Sequence, residues 1–207
     1  MTKQQIDTLT RADRALILRL VPEGSSVLDL GCGDGSLLSG LIREKGVHGR
    51  GIDIDEANLI RCVEKGLSVS IGDIDEGLDD YPDASYDYVV LNQTLQVIRK
   101  PDQVIREMLR VGRMGIVGFP NFGHWRLRMG LLFGGRMPKS RALPFEWYDT
   151  PNIHSLTVRD FKDFCRRENI SIIHEDYFIC RRWLSTPVVK PFANALAVNG
   201  LFVVRRD

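Results

Sequence analysis

The chain has 207 residues and a mass of 23.5 kDa, and 43% of its residues are hydrophobic, which is typical of one well-packed domain and not of a disordered chain. Its 28 Lys and Arg residues nearly balance its 27 Asp and Glu residues, so the formal net charge is only +1. This balance, without any run of five basic residues, argues against a dedicated nucleic-acid-binding protein.

The charge is unevenly divided along the chain. Residues 1–98 carry 9 basic and 17 acidic residues, a net charge of −8, whereas residues 99–207 carry a net charge of +9. No acidic residue lies between Glu107 and Glu146, and the stretch from Arg110 to Arg141 is basic. This asymmetry favours an anionic ligand or partner on one face, although counter-charges from neighbouring parts of the fold would explain it equally well.

Compartment and metal content can be judged from apolar runs and cysteines. The first residues lack the apolar core of a secretory signal, and the most apolar stretch, residues 192–204, is too short for a membrane span. Neither CxxC pairs nor zinc-ligand spacing occurs among Cys32, Cys62, Cys165 and Cys180, so no metal site is expected. We therefore expect a cytoplasmic protein with reduced thiols and no membrane contact.

Strands and helices alternate up to residue 120. After a helix over residues 11–20, short apolar runs predict five strands, at residues 26–30, 49–54, 67–71, 87–91 and 113–119. Helical spacing predicts connecting helices over residues 36–44, 56–65 and 102–111. This alternation is typical of right-handed β–α–β units on a parallel sheet.

The alternation stops after Pro120. Residues 121–155 show no sustained period, so we predict a lid or insertion over residues 120–156 within a single domain spanning residues 1–207. Beyond it, Thr157 and Asp160 predict a helix that begins with a capping box. The last two strands are predicted at residues 171–180 and 200–205.

The residues that carry chemistry begin where the first strand ends. The run DLGCGDG, residues 29–35, places Gly31, Gly33 and Gly35 before a helix whose first N–H groups can meet a ligand. Its GxGxG spacing differs from the GxGxxG of a dinucleotide site. Asp29 would repel phosphates and suits the ammonium group of an amino-acid-like ligand. Glycines that only pack a helix on a strand are the alternative.

Two further carboxylates follow the next two strands. Asp53 can accept hydrogen bonds from both hydroxyls of a ribose, and Asp73 can accept one from the amine of an adenine that Ile74 covers. Each carboxylate could instead cap a helix or turn. Their ordered placement at the carboxyl ends of successive strands nevertheless indicates a nucleoside-containing ligand.

Two resemblances extend this interpretation. The runs VLDLGCGDGSLL, GIDID and GDID resemble the class I S-adenosylmethionine-dependent methyltransferase fold, an α/β Rossmann-like fold with a seven-stranded, mostly parallel sheet and an antiparallel seventh strand. More specifically, FPNFGHWRLR (residues 119–128) and LPFEWYDTPNIHSLTVRDF (residues 143–161) resemble the MetW family of methionine-biosynthesis proteins, and the similarity covers nearly the whole chain. The resemblance implies S-adenosylmethionine or S-adenosylhomocysteine as cofactor, bound by Asp29, Gly31, Gly33, Gly35, Asp53, Ile54, Asp73, Ile74 and Asn92.

The sequence predicts no catalytic residue. Asn92 and Gln93, after the fourth strand, lack the Asn-Pro-Pro-Tyr pattern of amino-group methyltransferases and could contact the ligand or merely cap the next helix. The polar and aromatic side chains of the lid could form an acid–base cluster, anchor a protein partner or simply pack on the sheet. These side chains are His124, Trp125, Trp147, Tyr148, Asp149 and His154.

The resemblance leaves two main functional hypotheses. MetW proteins are associated with homoserine O-acyltransferase, which implies a module of methionine biosynthesis that binds S-adenosylmethionine and acts with that enzyme as its partner or regulator. The alternative is an active S-adenosylmethionine-dependent methyltransferase with a small-molecule acceptor. A weaker third hypothesis is RNA methylation, motivated by the basic stretch.

Overall fold

The computed structural model describes residues 3–137, 139, 143, 145–179, 182–184 and 189–207, with the backbone alone for residues 3–11 and 182–184. Arg141 and Cys180, both named above, lie outside the described residues. The described strands are β1 Ser26–Leu30, β2 His48–Asp53, β3 Ser68–Ile71, β4 Tyr86–Asn92, β5 Gly112–Pro120, β6 Ile170–Ile179, β7 Arg182–Leu184 and β8 Asn199–Arg206. The described α-helices are α1 Lys3–Leu20, α2 Ser36–Lys45, α3 Glu56–Glu64, α4 Pro101–Val111, α5 Trp125–Gly134, α6 Val158–Arg167 and α7 Ala193–Leu196.

The strands form one mixed sheet in the order β3-β2-β1-β4-β5-β8-β6-β7. Strands β1 to β5 pair in parallel, whereas β8 runs antiparallel to both β5 and β6. The predicted mostly parallel sheet with an antiparallel last strand is therefore confirmed. Strand β7 was not predicted, because three residues are too few to show an alternating pattern. It pairs with β6 at the edge of the sheet.

The core lies in two layers, one on each face of the sheet. On one face, Leu28 of β1 and Leu91 of β4 are fully buried in the same cluster as Met108 of α4. On the other face, Val27 and Val90 pack with buried residues of α1 and α2. Because neighbouring residues of a strand point to opposite faces, these apolar runs are buried on both sides. The result is a three-layer α/β/α arrangement.

Helix α5 is the main departure from the predicted elements. It occupies residues 125–134 of the segment for which no period was expected. Its sequence, WRLRMGLLFG, carries apolar side chains on all sides, so it shows no amphipathic stripe. The predicted helix after Thr157 is confirmed, with its capping box formed by Thr157 and Asp160. None of the described helices is both long and apolar enough to cross a membrane.

The segment from residue 120 to residue 156 is fixed to the domain at its base. Asn121 is only 1% exposed and uses both ends of its amide. Its Oδ1 accepts hydrogen bonds from Gly123 N (3.0 Å) and Val158 N (3.1 Å). Its Nδ2 donates to Asn194 O (3.1 Å) and Ala197 O (2.8 Å). The start of the segment is thereby joined to α6 and to the chain before β8.

Candidate functional site

The predicted site residues gather at one edge of the sheet. Asp29 lies in β1, Asp53 ends β2 and Asn92 ends β4, and β1 lies between β2 and β4. Because these strands are parallel, their carboxyl ends meet at the same edge, which is where open α/β sheets bind ligands. The carboxylates that are separated along the sequence therefore lie side by side along this edge of the sheet.

The three glycines of the loop differ in what surrounds the position that a side chain would occupy. All three have a positive φ, between +55° and +71°, which favours glycine. A Cβ at Gly31 would come within 2.7 Å of the Thr94 side chain, and one at Gly35 would overlap the side chains of Leu67 and Cys62. The packing alternative thus explains Gly31 and Gly35. A Cβ at Gly33 would meet no atom within 4 Å, so Gly33 alone of the three borders open space.

Asp53 is tied to the glycine loop. It is 8% exposed, its Oδ2 accepts a hydrogen bond from Gly33 N (2.7 Å), and its Oδ1 accepts one from Asp55 N (2.9 Å). The turn-capping alternative is therefore realised at Asp53. Each carboxylate oxygen can accept a further hydrogen bond, so the same side chain can still meet a ribose hydroxyl.

Asp73 also caps local backbone, because its Oδ1 accepts from Asp75 N (3.0 Å) at the start of a 3-10 helix, Ile74–Glu76. Asp73 and Ile74 line a cavity of about 420 Å³ that also touches Arg50 and Tyr81. Ile54 is 66% exposed beside the site. An exposed apolar side chain next to the row of carboxylates is suited to cover a planar ring.

Asp29 is a buried carboxylate. It is 3% exposed, and no hydrogen bond to its side chain was found within the described part of the chain. Burial, reinforced by the nearby Asp53 carboxylate, raises the pKa of Asp29 to about 7, while the Arg14 guanidinium opposes this rise. A buried carboxylate without a hydrogen-bonded cation is ready to receive a cationic ligand group.

Two residues of α1 that were not predicted from the sequence lie near the site. Arg14 Nη2 lies 3.7 Å from Asp34 Oδ1 in the glycine loop, so this helix reaches the site. Its neighbour Asp13 is 1% exposed and accepts a hydrogen bond from Gln93 Nε2 at 3.0 Å. Burial raises the pKa of Asp13 to about 7, and the neighbouring amides of Gln93 and Asn92 oppose this rise. In the sequence, both residues look like ordinary charged positions of a helix far from the motif.

The residues after β4 adopt an unusual backbone. Gln93 has φ +60°, and its N donates to Gly118 O (2.7 Å). A non-glycine residue in this region is kept there only when its surroundings over-determine it, which occurs most often at functional sites. Asn92 Oδ1 and Asp13 Oδ1 are buried and have no hydrogen-bond partner among the described residues.

The lid side chains are not joined as an acid–base cluster. His124 caps α5 through Nδ1, and Asp149 Oδ1 accepts a hydrogen bond from Glu146 N. Within the described residues, no hydrogen bond joins any two of the six side chains named above. Trp147 and Tyr148 are 75% and 70% exposed. The segment contacts the residues that follow β4, because Ile153 N and His154 N both donate to Gln96 O, at 2.8 and 3.0 Å.

Much of the basic stretch has nearby counter-charges. Arg110 pairs with Glu107 and Asp83, both at 2.7 Å, and Arg113 lies 3.5 Å from Asp87. Lys139 pairs with Glu146. The counter-charge interpretation is therefore right for these residues. Arg126 and Arg136, by contrast, form no ion pair with any carboxylate that the structure describes.

In the described ranges, no group of three or more His, Cys, Asp or Glu side chains could hold a metal ion.

The sheet order, the antiparallel β8 and the edge carboxylates define the fold of class I S-adenosylmethionine-dependent methyltransferases. A SAM-dependent methyltransferase from Archaeoglobus fulgidus superposes with a TM-score of 0.67 at 15% identity, covering 94% of this chain and 93% of that one. An S-adenosylmethionine-dependent methyltransferase from Mesorhizobium loti does so with a TM-score of 0.67 at 19% identity, covering 94% and 98%.

The particular family comes from sequence. Residues 11–204 match the family described as methionine biosynthesis protein MetW. The chain is also 36% identical, over 181 residues, to the bifunctional methionine biosynthesis protein MetXA/MetW of Rhodopirellula baltica. The aligned region covers 83% of this chain and 29% of that relative. The chain therefore belongs to the MetW family, and it spans under a third of the length of this bifunctional relative.

Proposed function

We propose that the chain binds S-adenosylmethionine at the edge formed by β1, β2 and β3 and acts in methionine biosynthesis with homoserine O-acyltransferase as its partner. The observation that carries the cofactor assignment is the buried carboxylate of Asp29 beside the open space at Gly33. A cationic ligand would neutralise that carboxylate, and the missing side chain of Gly33 leaves room for it.

The residues present fit the cofactor in order. Asp29 would bind the ammonium of the methionine part, Asp53 the ribose, and Asp73 with Ile74 the adenine, and Ile54 is exposed beside them. S-adenosylhomocysteine offers the same ammonium, ribose and adenine. When bound, S-adenosylmethionine supplies a methyl group activated by its sulfonium charge.

Calorimetry with S-adenosylmethionine tests this assignment. Asp53→Ala should lower the affinity about 10-fold or more, because a charge-assisted acceptor worth about 1.5–3 kcal/mol is lost. Asp163→Asn, at a half-exposed carboxylate of α6, is the matched control and should bind like the wild type. A wild-type chain that binds neither S-adenosylmethionine nor S-adenosylhomocysteine would refute the cofactor assignment.

The outer side of α5 supports the partner assignment. Met129, Leu132 and Phe133, which share one side of the helix through their i, i+3, i+4 spacing, are 39%, 69% and 82% exposed, and we call these three residues the α5 face. Exposed apolar patches of this kind mark interaction sites. Arg126 stacks over Trp125 at 5.4 Å, and Arg and Trp are residue types that anchor protein interfaces. We therefore treat residues 120–156 as the partner-facing insertion of a single domain.

The identity of the partner rests on the bifunctional relative, whose name joins MetXA and MetW in one chain. We assign homoserine O-acyltransferase as the partner because the fusion places the two activities at high effective concentration, which favours even a weak contact. Arg126 and Arg136, which lack a carboxylate partner among the described residues, provide positive charge beside the α5 face.

Co-elution of the chain with the acyltransferase tests the interface. Phe133→Ser and Leu132→Ser should each reduce the co-eluting fraction strongly, since removal of a central apolar anchor typically costs about 2 kcal/mol or more. Ile60→Ser, at a 55% exposed apolar position of α3, should leave it unchanged. Equal co-elution of all three variants would place the interface elsewhere, and no co-elution of the wild type would refute the partnership.

The alternative, a methyltransferase with a small-molecule acceptor, is favoured by one observation. Asn92 Oδ1 and Asp13 Oδ1 are buried polar atoms without a described partner beside the cofactor edge. Transfer of a labelled methyl group from S-adenosylmethionine to a component of a metabolite extract would support it. Absence of transfer, with cofactor binding demonstrated, would leave the chain as a binding module.

A further inference from the structure

Among the described residues, the edge that would hold the cofactor contains more buried carboxyl groups than buried cationic groups. Asp13 and Asp29 are 1% and 3% exposed, and Asp53 is 8% exposed. Arg14 is the cation that acts on both Asp13 and Asp29, but its guanidinium lies 3.7 Å from Asp34 in the glycine loop. Because an unpaired buried charge is energetically unfavourable, a cationic ligand would stabilise the ionised form of these carboxylates.

Asp13 and Asp29 flank the same end of the edge from two elements. Asp29 lies in β1, whose neighbour away from β2 is β4. Asp13 belongs to α1 and is tied to the residues at the end of β4 by the hydrogen bond from Gln93 Nε2. The two carboxylates therefore lie at the end of the site assigned to the methionine part, away from the adenine end at Asp73.

The ligand pair differs in charge at this end. Both ligands carry an ammonium and a carboxylate in their amino-acid part, and S-adenosylmethionine adds a positive sulfonium where S-adenosylhomocysteine has a neutral thioether. One carboxylate can match the ammonium of either ligand. The second carboxylate has a counter-charge in S-adenosylmethionine alone.

We propose that the buried carboxylate of Asp13 makes the site select S-adenosylmethionine over S-adenosylhomocysteine, while Asp29 binds the ammonium that both ligands share. This inference rests on the proposed cofactor function. Asp13 Oδ1 is buried without a described partner, whereas Oδ2 is held by Gln93, so the side chain is fixed in position and its charge is incompletely compensated. Asp13 is thus a specificity-determining residue. It makes the chain distinguish S-adenosylmethionine, with its methylated sulfonium, from S-adenosylhomocysteine.

The affinities of both ligands for the purified chain test this inference. At pH 7.5 the wild type should bind S-adenosylmethionine about 10-fold or more tightly than S-adenosylhomocysteine, because one additional pair of opposite charges forms in surroundings that are largely shielded from water. Asp13→Asn should weaken S-adenosylmethionine alone and bring the ratio to about 2-fold or less. Asp29→Asn should weaken both ligands to a similar extent, and Asp163→Asn should match the wild type.

The pH dependence provides a test that needs no variant. Burial raises the pKa of Asp13 to about 7, so between pH 7.5 and pH 5.5 it becomes neutral and the ratio of the two affinities should fall. The groups that face Asp13 are Arg14 on α1 and the amides of Asn92 and Gln93 from β4. Asp29, which faces Asp53 and Arg14, titrates in the same range but acts on both ligands, so the ratio isolates Asp13.

The outcomes separate this inference from the cofactor assignment. Equal affinities of the wild type for both ligands, or an equal loss of both in Asp13→Asn, would overturn the selectivity and leave the cofactor assignment intact. A ratio that stays constant between pH 7.5 and pH 5.5 would also overturn it. Failure of the wild type to bind either ligand would refute the proposed function and this inference with it.

Discussion

Gly33 permits a sharp test of where the ligand crosses the loop. Its φ is +55°, and a Cβ built there meets no protein atom within 4 Å. Gly46, which follows α2, has φ +61° and likewise no atom within 4 Å. Alanine at either position therefore costs the same left-handed strain, about 1–2 kcal/mol of stability, without any steric overlap.

The two variants should differ in ligand affinity. In Gly33→Ala the new methyl group enters the space that we assign to the cofactor, so the affinity for S-adenosylmethionine should fall at least about 10-fold, equivalent to about 1.4 kcal/mol. Gly46→Ala should bind like the wild type. Urea unfolding measures the shared loss of stability, and calorimetry measures the affinity. Equal affinities of the two variants would refute the placement of the ligand at Gly33.

Three further predictions concern stability. Gly35→Ala should lower the free energy of unfolding in urea by about 3 kcal/mol, more than Gly33→Ala, since the new Cβ would overlap the side chains of Leu67 and Cys62. Equal decreases in the two variants would contradict the packing explanation. Asn121→Ala should lower the free energy of unfolding by about 3 kcal/mol in the same assay, because two backbone N–H groups and two carbonyls lose a buried partner. A decrease below about 1 kcal/mol would contradict this explanation. Burial raises the pKa of Asp29 to about 7 in the folded state, above about 3.9 when unfolded, so the folded state retains the proton longer. The contribution of Asp29 to stability should therefore fall as pH rises from 4 to 7, so the stability of the wild type relative to Asp29→Asn, measured by calorimetric melting, should decrease over that range.

The alternating part of the fold was predictable because each buried strand and each connecting helix carries its own local period. The predicted strand at residues 26–30 has the bounds of β1, and Thr157 with Asp160 marked α6 through backbone groups that only a helix start leaves free. Helix α5 was not predicted because its apolar residues face every direction, so its sequence shows no amphipathic period that would indicate a helix with one buried side.

The site was partly predictable for a related reason. Asp29, Asp53 and Asp73 lie in, at the end of, and just after their strands, so their order in the chain fixes their order along the edge. Asp13 and Arg14 come from a helix that precedes β1, and nothing local distinguishes a charge that faces the site from one that faces water. A Cβ at Gly31 or Gly35 would meet the side chains of Thr94, or of Leu67 and Cys62, and the spacing of the glycines could not reveal these contacts.

The unequal surroundings of the three loop glycines bear on how such chains diverge. A descendant that lost its nucleoside ligand would still need glycine at positions 31 and 35, because Thr94, Leu67 and Cys62 fill the space beside them. Position 33 would be released from selection, and residues such as Asn, which tolerate a positive φ, could replace it at little cost. The contacts beside positions 31 and 35 therefore require glycine with or without a ligand, whereas glycine at position 33 would be required only by the ligand that we propose.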